Sequence, residues 1–163
     1  MNTTDKITEL FKEHSNELLR LSYLYLKDIQ HAEDAVSETF LKAYQNYGKF
    51  RGDSSEKTWL TKIAINTCKN IQRSKSYKET SLSETLPAKF SHRATENRVC
   101  VSSEIMKLPV KYREVVLLYY YRELTTKEIA KLLKIPRTTV DYRLRYAKDL
   151  LKQTLKEDFF NED

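Results

Sequence analysis

Asp34 and Glu38 stand four residues apart, so on a helix their carboxylates would share one face and could hold a divalent cation between them, as in a metal-dependent nuclease. That chemistry needs a third ligand, and none converges: His31 falls one residue off the ligand face, and Cys68 and Cys100 form no zinc spacing. Gly48 and Gly52 are the only glycines, so neither a phosphate-binding loop nor a dinucleotide fingerprint can be written. No catalytic residue, metal or cofactor is expected. Two cysteines are too few for a disulfide framework; Cys68 reads as a small core residue and Cys100 as incidental.

What the chain offers instead is cations at helical spacing, most clearly in the stretch LTTKEIAKLLKIPRTTVDYRLRYAKDLLK, residues 124–152. Thr125 and Glu128 have capping-box spacing, Ile129, Ala130 and Leu133 turn inward, and Lys134 to Arg137 make a corner. Pro136 lacks the N–H that a helix interior needs, which excludes one continuous helix. Beyond it Val140, Leu144, Ala147 and Leu151 repeat as one buried stripe. Two helices across so short a corner are a helix-turn-helix. The face left free carries Arg137, Thr138, Thr139, Asp141, Tyr142, Arg145 and Lys148, flanked by Arg143 and Lys152. Its early residues would meet base edges in a major groove and its later cations phosphate. Asp141, an acceptor only, suits a cytosine amino group or the orienting of a neighbouring arginine.

A second cationic face lies upstream. From Lys57 to Lys78 there are six basic residues and no acidic one. A glycine-bearing loop, Phe50-Arg51-Gly52-Asp53-Ser54-Ser55-Glu56, leads into a helix whose inner side is read as Trp59, Leu60, Ile63, Ala64, Thr67 and Ile71, and whose outer side carries Lys57, Lys62, Asn66, Lys69, Asn70 and Arg73. This is either a solvated surface helix or a track for a single strand with an extruded base in the loop. Further upstream, Ala32, Ala35, Val36, Thr39, Phe40, Ala43, Tyr44 and Tyr47 form a buried stripe, and Asp34, Ser37, Glu38, Leu41 and Gln45 lie opposite. Two carboxylates around an exposed leucine are a solvated face or a docking surface for a basic partner.

These elements imply an all-α fold of two small helical domains, residues 1–75 and 105–163, joined by a flexible linker, 76–104, rich in Ser, Thr, Lys and Glu. The formal net charge of +6 fits a polyanionic partner. The longest apolar run, Val115 to Tyr121, is far short of the roughly 20 residues that span a bilayer, and the N-terminus lacks a signal-peptide core, so a cytoplasmic location is expected.

Four stretches in order, AEDAVSETFLKAY, FRGDSSEKTWLTKIAINTCKN, LPVKYREVVLLYY and LTTKEIAKLLKIPRTTV, make the chain resemble the extracytoplasmic-function (ECF) sigma factors of the sigma-70 family. The resemblance implies a sigma domain 2 followed by a sigma domain 4. It implies that Asp34, Ser37, Glu38 and Leu41 meet the beta-prime clamp helices of core RNA polymerase. Phe50, Arg51, Gly52, Asp53, Ser54, Lys62, Asn66, Lys69 and Arg73 would bind the minus-ten element as a single strand, with Asn66 helping to read a flipped base. The helix from Arg137 to Lys148 would read the minus-thirty-five element of promoter DNA, with the helices before it on the beta flap. A further expected partner is an anti-sigma factor, often membrane-bound. The competing readings are a dimeric helix-turn-helix regulator that never meets polymerase, and the nuclease.

Overall fold

Five of the described helices start where a short polar side chain replaces a missing backbone partner. The computed structural model describes residues 2–80, 82 and 96–155, with the side chains of all but 96–100 and 155. Every described element is helical. Of the expected linker, Leu86 and Phe90 lie outside the described residues, as do residues 156–163 of the second domain; the side chains of Val99 and Cys100 are likewise outside.

The chain divides into two compact units between residues 82 and 83. In the first, α1 (Thr3–Leu26) begins on Asn2, whose side chain accepts from the Asp5 N–H at 2.8 Å. The helix closes on Lys27 in the left-handed region (φ 61°), donating its N–H to the Tyr23 carbonyl. Asp28 caps α2 (Ile29–Asn46) through the His31 N–H at 2.9 Å. A 3-10 turn (Tyr47–Lys49) follows, and Ser55 caps α3 (Glu56–Gln72) through the Thr58 N–H. A last turn, α4 (Lys75–Lys78), is pinned by the buried Tyr77, whose hydroxyl donates to the Leu26 carbonyl at 2.7 Å.

Leu10, Leu18, Leu21 and Leu26 of α1, Ala32, Ala35 and Ala43 of α2, and Leu60, Ala64 and Ile65 of α3 are almost fully buried and make the core. The alanines let the helices approach closely. Cys68 is there too, as expected, and burial pushes its thiol up to about 12. Two expectations about faces are corrected. Tyr44, read as part of the α2 stripe, sits at its edge and is exposed. The buried arc of α3 turns toward Thr61, Ile65 and Cys68, leaving Trp59, Ile63 and Ile71 only half-buried.

The second unit contains α5 (Glu96–Lys107), whose first residues fall inside the stretch expected to be linker. Leu108 and Pro109 turn the chain into α6 (Val110–Val116), which runs on as a π-helical segment, Leu117–Tyr121. The corner is held by Arg113, almost wholly buried, which donates through Nη1 to the carbonyls of Met106 (3.2 Å) and Leu108 (2.8 Å). The wider π turn carries Leu117 and Leu118 inward and Tyr119 and Tyr120 outward. α7 (Thr126–Leu133) and α8 (Arg137–Leu155) complete the unit.

Candidate nucleic-acid interface

The corner between α7 and α8 is built as the sequence requires. Thr125 accepts from the Glu128 N–H and Glu128 accepts from the Thr125 N–H, both at 3.1 Å, a complete capping box. Lys134 ends α7 in the left-handed region (φ 59°). Pro136 precedes α8 and its carbonyl accepts from the Thr139 and Val140 N–H groups. Ile129 and Leu133 are buried as read; Leu132 joins them, while Ala130 is only half-buried.

On α8, Val140 and Ala147 are fully buried and Leu144 and Leu151 half-buried, which fixes the helix's rotation. The opposite face presents Thr138, Asp141, Tyr142, Arg145 and Lys148 to solvent, with Lys152 beside them. Arg137 is exposed too, but its Nε donates to Thr126 Oγ1 at 3.1 Å, bracing the start of α8 against α7. Thr139 and Arg143 lie at the margin, half-buried. Sequence reading missed an aromatic run. Tyr142 and Tyr146 stack, and Tyr146 packs on Tyr112 of α6 at 4.7 Å.

In the first unit the nearer end of α3 is braced by rings. Phe50 lies 4.9 Å from Trp59, and Tyr47 lies 6.1 Å from Phe50 and 5.9 Å from Trp59. The Tyr47 hydroxyl donates to Glu56 Oε2 at 3.1 Å, and Lys6 pairs with the same carboxylate at 3.3 Å. Burial and that hydrogen bond raise the Tyr47 phenol above its ordinary range. Of the loop, Phe50 thus serves partly as packing, while Arg51, Gly52 and Asp53 are exposed and Ser54 half-buried. Gly52 has φ 76°, a conformation that suits glycine.

Beside this cluster is an open groove of about 270 Å³ lined by Lys42, Asn46, Trp59, Lys62, Ile63 and Asn66. Lys62 and Asn66 were expected at such a site; Trp59 and Ile63 were read as core, and Lys42 and Asn46 were not read as site residues. Lys62, Asn66, Lys69 and Arg73 follow at four, three and four residues, one stripe along α3, with Lys69 half-buried and Arg73 exposed. An indole face between two ammonium and two amide groups suits a nucleotide: rings for the base, cations for the phosphate. On α2, Asp34, Ser37, Glu38 and Leu41 are all exposed, Leu41 by 56 %. Among the described residues no three His, Cys, Asp or Glu side chains gather where a metal ion could be held.

The Sigma-70 region 2 family model matches residues 10–77, and the Sigma-70 region 4 model residues 98–151. Over 158 residues the chain is 30% identical to the ECF RNA polymerase sigma factor SigL of Mycobacterium tuberculosis, covering 91% of this chain and 88% of that one. The chain belongs to the ECF sigma factors. It is 28% identical to SigW of Bacillus subtilis over 94% of this chain and 90% of the relative. Among solved structures, the sigma factor RpoE of Bartonella quintana, in complex with the anti-sigma factor NepR, matches with a TM-score of 0.75 at 20% identity, covering 91% of this chain and 97% of that one. CnrH in complex with the cytosolic domain of CnrY matches at 0.70 and 21%, over 95% and 90%. As a sigma factor, the protein binds RNA polymerase and directs it to promoters. Its family consists of transcription initiation factors rather than enzymes. The region 2 match spans the groove and the acidic face of α2; the region 4 match contains the helix-turn-helix.

Proposed function

We infer that this sigma factor divides promoter recognition between its units, the α3 groove holding unpaired non-template bases of the minus-ten element and α8 reading the minus-thirty-five duplex in the major groove. The observation that carries this is the groove itself, where the half-buried Trp59 and Ile63 line an opening with Lys42, Lys62, Asn46 and Asn66. Duplex DNA offers base edges but no base faces, whereas an unpaired strand offers both a face to stack and phosphates to pair. Arg51, Gly52, Asp53 and Ser54 of the preceding loop receive an extruded base, and Lys69 and Arg73 continue the strand path.

The exposed Asp34, Ser37, Glu38 and Leu41 meet the clamp helices of the beta-prime subunit, acid steering a basic partner and leucine supplying the apolar centre. The second unit's helices before α8 contact the beta flap. Melting about a dozen base pairs costs on the order of 17 kcal/mol at ~1.4 kcal/mol per step. This chain carries no nucleotide-hydrolysis motif, so the polymerase cleft holds the separated strands while the groove captures bases. Factor and polymerase work in the cytoplasm, where an anti-sigma factor, membrane-bound in one version, masks the polymerase-binding faces. Two solved neighbours, one in complex with an anti-sigma factor and one with the cytosolic domain of another protein, support such a partner.

Run-off transcription of fragmented genomic DNA with core enzyme tests the reading. Discrete transcripts are expected only when both proteins are present, with permanganate-reactive thymines in the melted region. Duplex binding by the factor alone as a dimer on palindromic sites, with no transcripts, would replace it with an autonomous regulator.

A further inference from the structure

Lys42 stands where the acidic face of α2 meets the groove beside α3. Its ammonium group lies 3.1 Å from Glu38 Oε1, one turn earlier on the same helix, and donates to Thr67 Oγ1 of α3 at 3.3 Å. It also lines the groove with Asn46, Trp59, Lys62, Ile63 and Asn66. Thr67 is fully buried and its hydroxyl donates to the Ile63 carbonyl at 2.8 Å, which points an oxygen lone pair at the ammonium. One cation is therefore shared between a carboxylate on the polymerase-facing surface and a fixed acceptor at the nucleotide groove.

We propose that Lys42 couples the two surfaces: when a polymerase cation pairs with Glu38, the Lys42 ammonium is released to a phosphate of the captured strand. This rests on the docking and strand-binding reading above. Magnitudes make the exchange feasible. A Glu-to-Lys pair four residues apart on an exposed helix is worth about 0.3–0.5 kcal/mol, and both side chains here are substantially exposed. A partner cation at a desolvated interface outcompetes so weak a bond. Thr67 meanwhile keeps the released group at the groove, and the flexible lysine stem spans the short move. Before docking, Glu38 neutralises much of the Lys42 charge, so the factor alone holds single strands less tightly than the complex does.

The test uses full-length factor, alone and bound to core polymerase, and a fluorescent oligo-dT of about a dozen nucleotides, a length within the range of such sites. Glu38→Gln in the free factor is expected to raise affinity about twofold, the full value of the released pair. In a Lys42→Gln background the same change should do nothing. Asp34→Asn, which removes an equal charge one turn away, should give a smaller rise that is the same with or without Lys42. In the polymerase complex Lys42→Gln should reduce the slope of log affinity against log salt by about 0.7, the loss of one single-strand phosphate contact. Equal effects of Glu38→Gln with and without Lys42, or an unchanged slope, would overturn the coupling. Trp59→Ala separates this from failure of the groove itself. If that variant binds the oligonucleotide normally, the groove reading falls; if it binds weakly while the Lys42 variants behave as wild type, only the coupling falls.

Discussion

Tyr142 and Tyr146 lie one turn apart on α8 with their rings nearly parallel, 6.2 Å between centroids and 16° between planes. Tyr142 stands opposite the buried Val140 and Ala147, in the middle of the face proposed to meet DNA, and is 59 % exposed. An exposed ring on a two-torsion stem would ordinarily sample several rotamers, each costing entropy when one is selected on binding. Tyr146 limits that sampling from one side, and Tyr112 of α6 backs Tyr146 in turn. Tyr146→Ala is therefore expected to weaken binding of the polymerase complex to duplex containing the minus-thirty-five element by about two- to tenfold, the worth of ~0.5–1.5 kcal/mol for an aromatic pair. Tyr146→Phe keeps the ring and should bind as wild type. Anisotropy titration of labelled duplex measures both; a normal alanine variant would remove the stack from DNA recognition.

Arg113 does for the end of α5 what a polar cap does for the start of other helices. Its Nη1 satisfies the carbonyls of Met106 and Leu108 at a corner where Pro109 supplies no N–H. Arg113→Met preserves length and leaves both acceptors short of a partner. The expected loss is about 2–4 kcal/mol. Hydrogen exchange on the full chain should show faster opening of α5 and α6 with α1 to α3 unaffected. Uniform acceleration across both units would mean that the arginine acts otherwise.

Cys68 offers a pH signature with a definite sign. In the native state burial raises its thiol to about 12, while in the unfolded chain it ionises near ~8.5. Between these values the native state holds the proton and the unfolded state does not, so this contribution is complete below the unfolded value and is lost as pH rises toward the folded one. Unfolding free energy should fall with pH above about 8.5 more steeply in wild type than in Cys68→Ala, the difference in slope approaching ~1.4 kcal/mol per unit. Urea melts at successive pH values measure it. Parallel curves for the two proteins would contradict a buried, protonated thiol.

The sequence's local signals were the most legible. Thr125, Glu128 and Pro136 act within a few bonds of their own backbone, and the structure forms the capping box and corner they predict. The rotation of α3 was not legible, because an apolar side chain reads the same whether it faces a core or a ligand. Trp59 and Ile63 were therefore placed inside, while Thr61, less apolar by composition, took part of the buried arc. Lys42 was invisible as a site residue for a related reason: its position over the groove depends on how α2 packs on α3, a long-range fact. The start of α5 was hidden by its polar composition, since Glu96 to Lys107 offers little apolar periodicity. Only the π segment after α6 could not be anticipated from any residue type, for it shifts phase within an unbroken apolar run.

Asn66 is expected to separate strand capture from duplex binding. Its side chain lies on the exposed stripe of α3, one turn from Lys62 and beside Trp59 and Ile63 in the groove. An amide offers both a donor and an acceptor, so it can match an unpaired base edge, which a lysine or a hydroxyl does less selectively. Because α8 belongs to a separate unit, Asn66→Ala should leave closed-duplex affinity of the polymerase complex unchanged. It should lower the fraction of open promoter by about five- to a hundredfold, the range for losing one good base contact of ~1–3 kcal/mol. Permanganate reactivity reads opening and filter retention reads closed binding, both on one promoter fragment. A loss shared equally between the two would show that Asn66 supports the fold of α3 rather than the strand, and unaltered permanganate reactivity would exclude it from base capture altogether.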